Sequence, residues 1–232
     1  RVGQAMSVPP LGNAERQLNL AATELLPTDG LVKETAEGIV RGKRDDAAKA
    51  RALYEWVVDN TFRNPRTLGC GVGDITAMIK TGNLSGKCAD LNALFVGLAR
   101  SIGLPARYVS GYLETDPPPG LSKLRGVDAS HAWVSLFCPG IGWIDADPTN
   151  NCYASLRHIS IGWGRDYGDI SPVRGVLIGG TQQILRVSVD VSALSPEASA
   201  DISLVTQVLA ASEPGNNEPS ARGLNTPAPR NR

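Results

Sequence analysis

The segment Ser85–Pro105, SGKCADLNALFVGLARSIGLP, contains the clearest secondary-structure signal in the chain. Ser85 is a candidate N-cap, and Gly103 followed by Pro105 ends the pattern, as is typical of a helix C-terminus. The large apolar residues between these ends recur at the spacing of one helix face: Leu91, Leu94, Phe95, Leu98 and Ile102. We therefore predict a core helix here, with Cys88 in its first turn.

The position of Cys88 is suited to a reactive thiol. Free backbone N–H groups and the positive end of the helix dipole favour a thiolate in the first turn. The same N–H groups can bind the oxyanion of an acyl intermediate. A single cysteine is more commonly a small packing residue, so this position alone favours the packing interpretation.

Upstream of this helix, residues 1–13 are predicted to be an extended lead-in. Short helices then follow, separated by proline and glycine breaks. They are predicted at Ala14–Leu26, over Leu31–Val40, from a cap at Asp45 or Asp46 to about Asn60, and at Asp74–Lys80 with an end near Gly82.

Downstream the periodicity changes to two, which indicates strands. The long loop Glu114–Ala129 contains three consecutive prolines and is predicted to border a cleft. Helices followed by an antiparallel sheet give an α+β fold class. The strands are predicted at Tyr108–Tyr112, Ser130–Phe137, Trp143–Asp147, Leu156–Trp163 and Gln183–Val191.

Two of these strands form a hairpin that carries a histidine and two aspartates. His131 lies on the first strand, and Asp145 and Asp147 share one face of the second. Counted from the turn, His131 and Asp147 are two residues out of register, which makes them diagonal neighbours about 7–8 Å apart at the backbone. A carboxylate there would fix the imidazole tautomer and stabilise its charged form.

The composition excludes several classes of partner. Lys and Arg total 23, and Asp and Glu also total 23, so the net charge is zero. Nucleic acids and anionic membranes favour a clustered positive excess, and we expect neither as a partner. No segment approaches the ~20 consecutive apolar residues of a membrane span.

The cysteines and histidines are few and widely spaced. No Cys-x-x-Cys pair occurs among Cys70, Cys88, Cys138 and Cys152, which argues against a zinc ribbon or a thioredoxin-type site. Whether two of the three cysteines other than Cys88 form a disulfide stays open. The only histidines are His131 and His158, which argues against a multi-histidine metal site.

His158 alternates with two isoleucines, Ile159 and Ile161, along its predicted strand. If the isoleucines face the core, the histidine faces outward. We therefore assign His158 no role.

Together these motifs resemble the transglutaminase-like superfamily of cysteine enzymes. The resemblance implies a papain-like core with nucleophile Cys88, general base and acid His131, and orienting carboxylate Asp147. Its Asp-Pro-Thr match selects Asp147 over Asp145. It rests on Ser85–Asp90, Gly103–Arg107, Ser130–Trp133 and Gly142–Asn150, and it covers roughly Leu26 to Gly180.

The resemblance also implies a reaction. Acyl transfer on a protein or peptide amide would proceed through a thioester, with hydrolysis by a thiol protease or amidase favoured because bacterial relatives are regarded as proteases. Backbone N–H groups, or Asn83, would bind the oxyanion. Cross-linking by a protein-glutamine gamma-glutamyltransferase and a non-enzymatic scaffold are the alternatives. No metal or organic cofactor is implied.

We predict three regions along the chain: a lead-in and helix at 1–26, a transglutaminase-like catalytic domain at 27–191, and a disordered Ala/Ser/Pro-rich tail at 192–232. The start, Arg1–Gln4, has neither an initiator Met nor an apolar signal core. We expect a processed or trimmed chain, and its compartment stays open: cytoplasmic, or periplasmic or secreted if a signal peptide was removed. Oligomeric state stays open.

Overall fold

The computed structural model describes residues 8–67, 69–116, 119–120, 129–171 and 188–191. Its helices are α1 (Asn13–Leu20), α2 (Gly30–Ile39), α3 (Asp46–Asn60), α4 (Ile75–Thr81) and α5 (Cys88–Ser101). Its strands are β1 (Phe62–Arg63), β2 (Ser85–Gly86), β3 (Ala106–Leu113), β4 (Ala129–Cys138), β5 (Gly142–Asp147), β6 (Cys152–Tyr153) and β7 (His158–Gly164).

Helix α5 is the centre of the fold. Every residue from Ala89 to Ser101 is buried, so the helix is enclosed on all sides rather than on one apolar face. It packs against α2 and α3 and against strands β3 and β4. The predicted cap was wrong: Lys87 precedes the first helical residue, and Ser85 lies in β2, which pairs with β1.

The main sheet is antiparallel, with the order β6-β5-β4-β3-β7. Along β4, Ala132, Val134 and Leu136 belong to the core shared with the helices. Because side chains alternate along a strand, His131 and Trp133 lie on the opposite face, which we call the outer face. The predicted α+β arrangement, with helices packed on an antiparallel sheet, is confirmed.

Most of the predicted helices are confirmed, but the first one was predicted too long. Helix α1 ends at Leu20, where Ala21 becomes extended. Beyond it, Thr23 and Leu26 form a hydrogen-bonded turn, and the Arg100 guanidinium binds the carbonyl of Ala21 at 3.1 Å. These turn and tertiary hydrogen bonds replace the helical ones that the predicted segment would have made.

The four strands predicted between Tyr108 and Trp163 are also found, with shifted ends, and the fourth begins at His158 instead of Leu156. The prediction for Gln183–Val191 falls mostly outside the described residues, as does much of the loop Glu114–Ala129. The tail 192–232 lies wholly outside them, so the three-region division stays a prediction. Within the described part of the chain, no helix combines the length and hydrophobicity needed to cross a membrane.

Candidate active site

Cys88 is the first residue of α5, and its thiol is half-buried. The backbone N–H groups of a first turn have no partner within the helix. The carboxylate of Asp90 accepts one such hydrogen bond, from the N–H of Lys87 at 2.9 Å. This hydrogen bond closes the first turn of the helix and fixes the direction in which the side chain of the following residue, Cys88, points.

A glycine-rich loop wraps around this end of the helix. The buried Asp90 also accepts a hydrogen bond from the N–H of Gly73 at 2.8 Å, and Lys87 Nζ donates to the carbonyl of Gly69 at 2.6 Å. The loop Gly69–Gly73 therefore stabilises the N-terminus of α5 through these hydrogen bonds.

The hairpin places His131 beside Asp147, as predicted. The register pairs Val134 with Ala146, and one further step sets Asp147 opposite Trp133, two residues from His131. The His131 Nε2 atom lies 2.6 Å from Asp147 Oδ2. Asp147, rather than Asp145, is the carboxylate in contact with the imidazole.

Cys88 and His131 are in contact and shift each other's titration. Burial opposes ionisation of the thiol, but the hydrogen bond and charge of His131, with backbone N–H groups of Ala132 and Ala89, leave the pKa of Cys88 below its ordinary value. Burial also opposes the imidazolium, but hydrogen bonds to Asp147 and Cys88 raise the pKa of His131 to about 9. Both shifts favour a thiolate–imidazolium pair at neutral pH.

The contact between His131 and Asp147 also indicates which ring nitrogen of His131 faces which neighbour. Because Nε2 is engaged by the carboxylate, Nδ1 is the atom left to face the thiol. The geometry therefore brings a thiol, an imidazole and a carboxylate together in one chain of contacts, and these are the groups that cysteine-dependent acyl transfer uses.

Asp147 is fully buried and has several hydrogen-bond donors. Asn150 contributes two of them, with Nδ2 at 2.7 Å from Oδ2 and its backbone N–H at 3.2 Å from Oδ1. Burial raises the pKa of this carboxyl, but the hydrogen bond and charge of His131, with the amide of Asn150, hold it below its ordinary value. The sequence motif contained Asn150, but its role was not predicted.

The predicted outward face of His158 is confirmed, but the side chain is buried there. Its side chain does lie on the outer face, but so do those of His131 and Asp147, and it is only 4% exposed. The isoleucines were a misleading signal, because Ile159 and Ile161 are exposed. His158 Nε2 lies 3.3 Å from Asp147 Oδ2.

Counting histidines was therefore not sufficient to exclude a metal site. His131, Asp147 and His158 each offer a ligand atom, and these atoms lie within 4.8 Å of one another. All three are already joined by the hydrogen bonds just described. A cation would have to displace those bonds around a carboxylate that has no exposed surface.

Asn92 ties the thiol-bearing helix to the hairpin. Its Nδ2 donates to the carbonyl of Cys88 at 2.7 Å, to that of Ala132 at 2.8 Å and to Thr149 Oγ1 at 3.1 Å. The residue is fully buried. A polar residue one turn after Cys88 in a fully buried helix was the signal that could have identified it.

We expect Asn92→Ala to lower the free energy of unfolding by about 1–3 kcal/mol, because buried carbonyls lose their donor. Asn60→Ala is the matched control: Asn60 Nδ2 makes the same bond, to the carbonyl of Trp56, but at an exposed site. It should cost less than about 0.5 kcal/mol. Urea unfolding measures the free energy of unfolding of both variants. Equal decreases would contradict the proposal that Asn92 links the helix to the hairpin.

The remaining cysteines are also free thiols. Cys138 and Cys152 line a groove of about 660 Å³ between α3 and the sheet. Tyr54 reaches from this groove to the carbonyl of Asp147, with its hydroxyl 3.4 Å away. The groove is lined by Val134, Leu136 and Ala146, which lie on the face of the sheet opposite to His131, so it lies behind the Cys88–His131–Asp147 arrangement.

Comparison with known proteins identifies the family of the chain. Residues 33–148 match the family model of the transglutaminase-like superfamily. The chain belongs to this superfamily. The matched residues include Cys88, His131 and Asp147, and the expected resemblance is confirmed at the level of the family and its fold.

Relatives of this superfamily member occur in several bacteria. An uncharacterized protein of Mycobacterium tuberculosis is 40% identical over 139 residues, which are 57% of this chain and 43% of that protein. One of Mycobacterium leprae is 38% identical over 177 residues, which are 76% of this chain and 61% of that protein. The chain therefore spans only part of the relatives that it matches.

Two further comparisons involve proteins with named activities. A protein-glutamine gamma-glutamyltransferase of Pseudomonas aeruginosa is 35% identical over 91 residues, covering 38% of this chain and 13% of that enzyme. The crystal structure of a candidate cysteine protease from Cytophaga hutchinsonii aligns with a TM-score of 0.56 at 20% identity, covering 72% of this chain and 53% of that one. The structural match shows a shared fold.

Proposed function

We propose that the chain hydrolyses amide bonds of proteins or peptides through a thioester on Cys88. The observation that carries the proposal is the continuous contact from the thiol to His131 and on to the buried Asp147. Charged groups in this order activate the nucleophile and hold a proton ready for the leaving group.

The first half of the reaction forms the thioester. The Cys88 thiolate attacks the amide carbonyl carbon, and the resulting oxyanion is held by backbone N–H groups at the start of α5. The C–N bond then breaks, and the imidazolium of His131 transfers its proton to the departing amine. Asp147 keeps the ring in the tautomer that this transfer requires.

The second half regenerates the enzyme. His131, now neutral, takes a proton from water while the water oxygen attacks the thioester carbonyl. The C–S bond breaks, which releases a carboxylic acid and restores the thiolate–imidazolium pair. Hydrolysis is further supported by the description of the Cytophaga hutchinsonii structure as a candidate cysteine protease.

Transfer to an amine is the second candidate. A primary amine such as a lysine side chain would replace water in the second half, giving a new amide. The local identity to the Pseudomonas aeruginosa transferase, 35% over 91 residues, supports this alternative. The two reactions share the thioester and differ only in the second nucleophile.

The two candidates predict different products from glutamine-containing peptides incubated with and without a primary amine. We expect mass spectrometry to detect carboxylic acid products in both cases, because water reaches the thioester. We also expect an acyl group on Cys88 in acid-quenched samples, because the thioester is an intermediate. Amide product that appears only with the amine would favour transfer.

The scaffold alternative is tested in the same samples. If no acyl group is found on Cys88, and product formation is the same in protein whose thiols were blocked beforehand, both enzymatic proposals are wrong. Blocked protein is a suitable control because none of its thiols, Cys88 included, can act as a nucleophile.

A further inference from the structure

His158 is not used by the proposed mechanism, although it is buried beside the reacting groups. Its Nε2 lies 3.3 Å from Asp147 Oδ2, the same oxygen that His131 contacts at 2.6 Å. The two histidine side chains are 9% and 4% exposed, and Asp147 has no exposed surface. One buried carboxylate oxygen thus faces both histidines of the chain.

The hydrogen on the His158 ring is fixed by a second contact. The backbone N–H of Ser155 donates to His158 Nδ1 at 3.1 Å, so Nδ1 is an acceptor and carries no hydrogen. A neutral imidazole has one hydrogen, which must then be on Nε2. His158 is therefore oriented to donate to Asp147.

The ring is also held from its other sides. It packs edge-on against the buried Trp133, with ring centroids 5.1 Å apart. Its backbone N–H donates to the carbonyl of Ser155 at 2.9 Å, and β7 pairs Leu113 with His158. These contacts leave the side chain little freedom to rotate away from the carboxylate.

The contact joins residues on strands that are not neighbours in the sheet. Strands β4 and β3 separate β5 from β7, so the backbones of Asp147 and His158 would be far apart in a flat sheet. Gly111 of β3 lies between them, and a Cβ there would come within 2.7 Å of Trp133 Cη2. The same Cβ would lie 2.0 Å from the backbone oxygen of Ile159, so the absent side chain lets both β7 and Trp133 approach β3 closely.

We propose that His158 is a positioning residue, which donates to Asp147 Oδ2 and so fixes the carboxylate that orients His131. The inference rests on the proposed function, because Asp147 matters through His131 and Cys88. The hydrogen bond from His158 also helps to keep the carboxylate ionised, alongside the bonds from His131 and Asn150.

Two substitutions separate the two hydrogen bonds of His158. In His158→Gln, the amide nitrogen lies near the former Nε2 and keeps the donor to Asp147, but the acceptor for Ser155 is lost. In His158→Asn, the amide oxygen lies near the former Nδ1 and keeps the acceptor, but the donor is lost. The rates of amide hydrolysis and of Cys88 alkylation at neutral pH are the readouts.

We expect His158→Asn to slow both rates at least about tenfold, because a charged acceptor loses a donor, and His158→Gln to stay within about threefold of the wild type. A structural role in anchoring Ser155 would give the reverse order. A folded His158→Gln protein with tenfold slower rates would overturn the proposal, whether or not His158→Asn folds. Equal rates in all three proteins would also overturn it.

The experiment distinguishes this inference from the proposed function. Alkylation requires no substrate, so it tests the role of His158 even if amide hydrolysis proves independent of Cys88. In an Asp147→Asn background, His158→Asn should have no further effect on alkylation, since it acts through the carboxylate. An additional loss there would contradict the proposal.

Discussion

Cys88→Ala is expected to reduce amide hydrolysis at least about a thousandfold, since no other described nucleophile contacts His131. The variant should remain folded, because the thiol is small and only half-buried. Initial rates on the glutamine-containing peptides, with unfolding curves for each protein, measure the effect.

The chain offers a matched control in Cys152→Ala. Cys152 is an exposed thiol beside the groove behind Asp147, and its loss should leave the rate within about twofold of the wild type, as for a surface substitution. His131→Ala should cost nearly as much as Cys88→Ala, and the double variant little more, because the two groups act as one unit. Additive losses would argue for independent roles.

The second large effect concerns the reactivity of the thiols at about pH 6. An ordinary cysteine is less than about 1% thiolate there. The contact with His131 lowers the pKa of Cys88, so its thiolate should be far more populated. Low-pKa thiolates are weaker nucleophiles, which offsets part of this gain. We expect Cys88 to be alkylated about tenfold or more faster than the other thiols.

Cys138 and Cys152 serve as internal references in the same tube, because burial raises the pKa of both thiols. Peptide mapping after brief iodoacetamide treatment gives the rate at each cysteine. In His131→Ala the advantage of Cys88 should disappear, since burial then raises its pKa without an opposing imidazolium. Preferential labelling that survives this substitution would contradict the ion pair.

The same ion pair predicts a pH range for hydrolysis. The pKa of His131 is raised to about 9, so the imidazolium that protonates the leaving amine persists through neutral pH and is lost above that value. On the acid side, activity should fall when the Cys88 thiolate is protonated. The two limits belong to the coupled pair rather than to either residue alone.

Local sequence signals were sufficient for the parts of the fold that depend on short-range physics. The helical period after Cys88, the cap at Asp45 and the left-handed Gly82 after α4 are all found in the structure. The diagonal offset of His131 and Asp147 was also predictable, because one short turn sets the register of a hairpin. The approach of Cys88 to the pair was implied only by the family resemblance.

Helix ends that depend on distant partners were not predictable in this way. No local pattern indicated that Arg100 would bind the carbonyl of Ala21 or that α1 would stop at Leu20. The alternation of His158 with two isoleucines predicted which face of the strand it lies on but not whether that face is buried there. Burial on the outer face depends on packing against side chains of neighbouring strands, here Trp133.

The amino-acid order thus determined the thiol-bearing helix, the hairpin and the identity of the candidate nucleophile, base and carboxylate. Only the tertiary structure brought Asn92 between the helix and the hairpin and brought His158 across two strands to Asp147. Such contacts depend on sheet curvature and on packing between elements far apart in the chain, and no local periodicity encodes them.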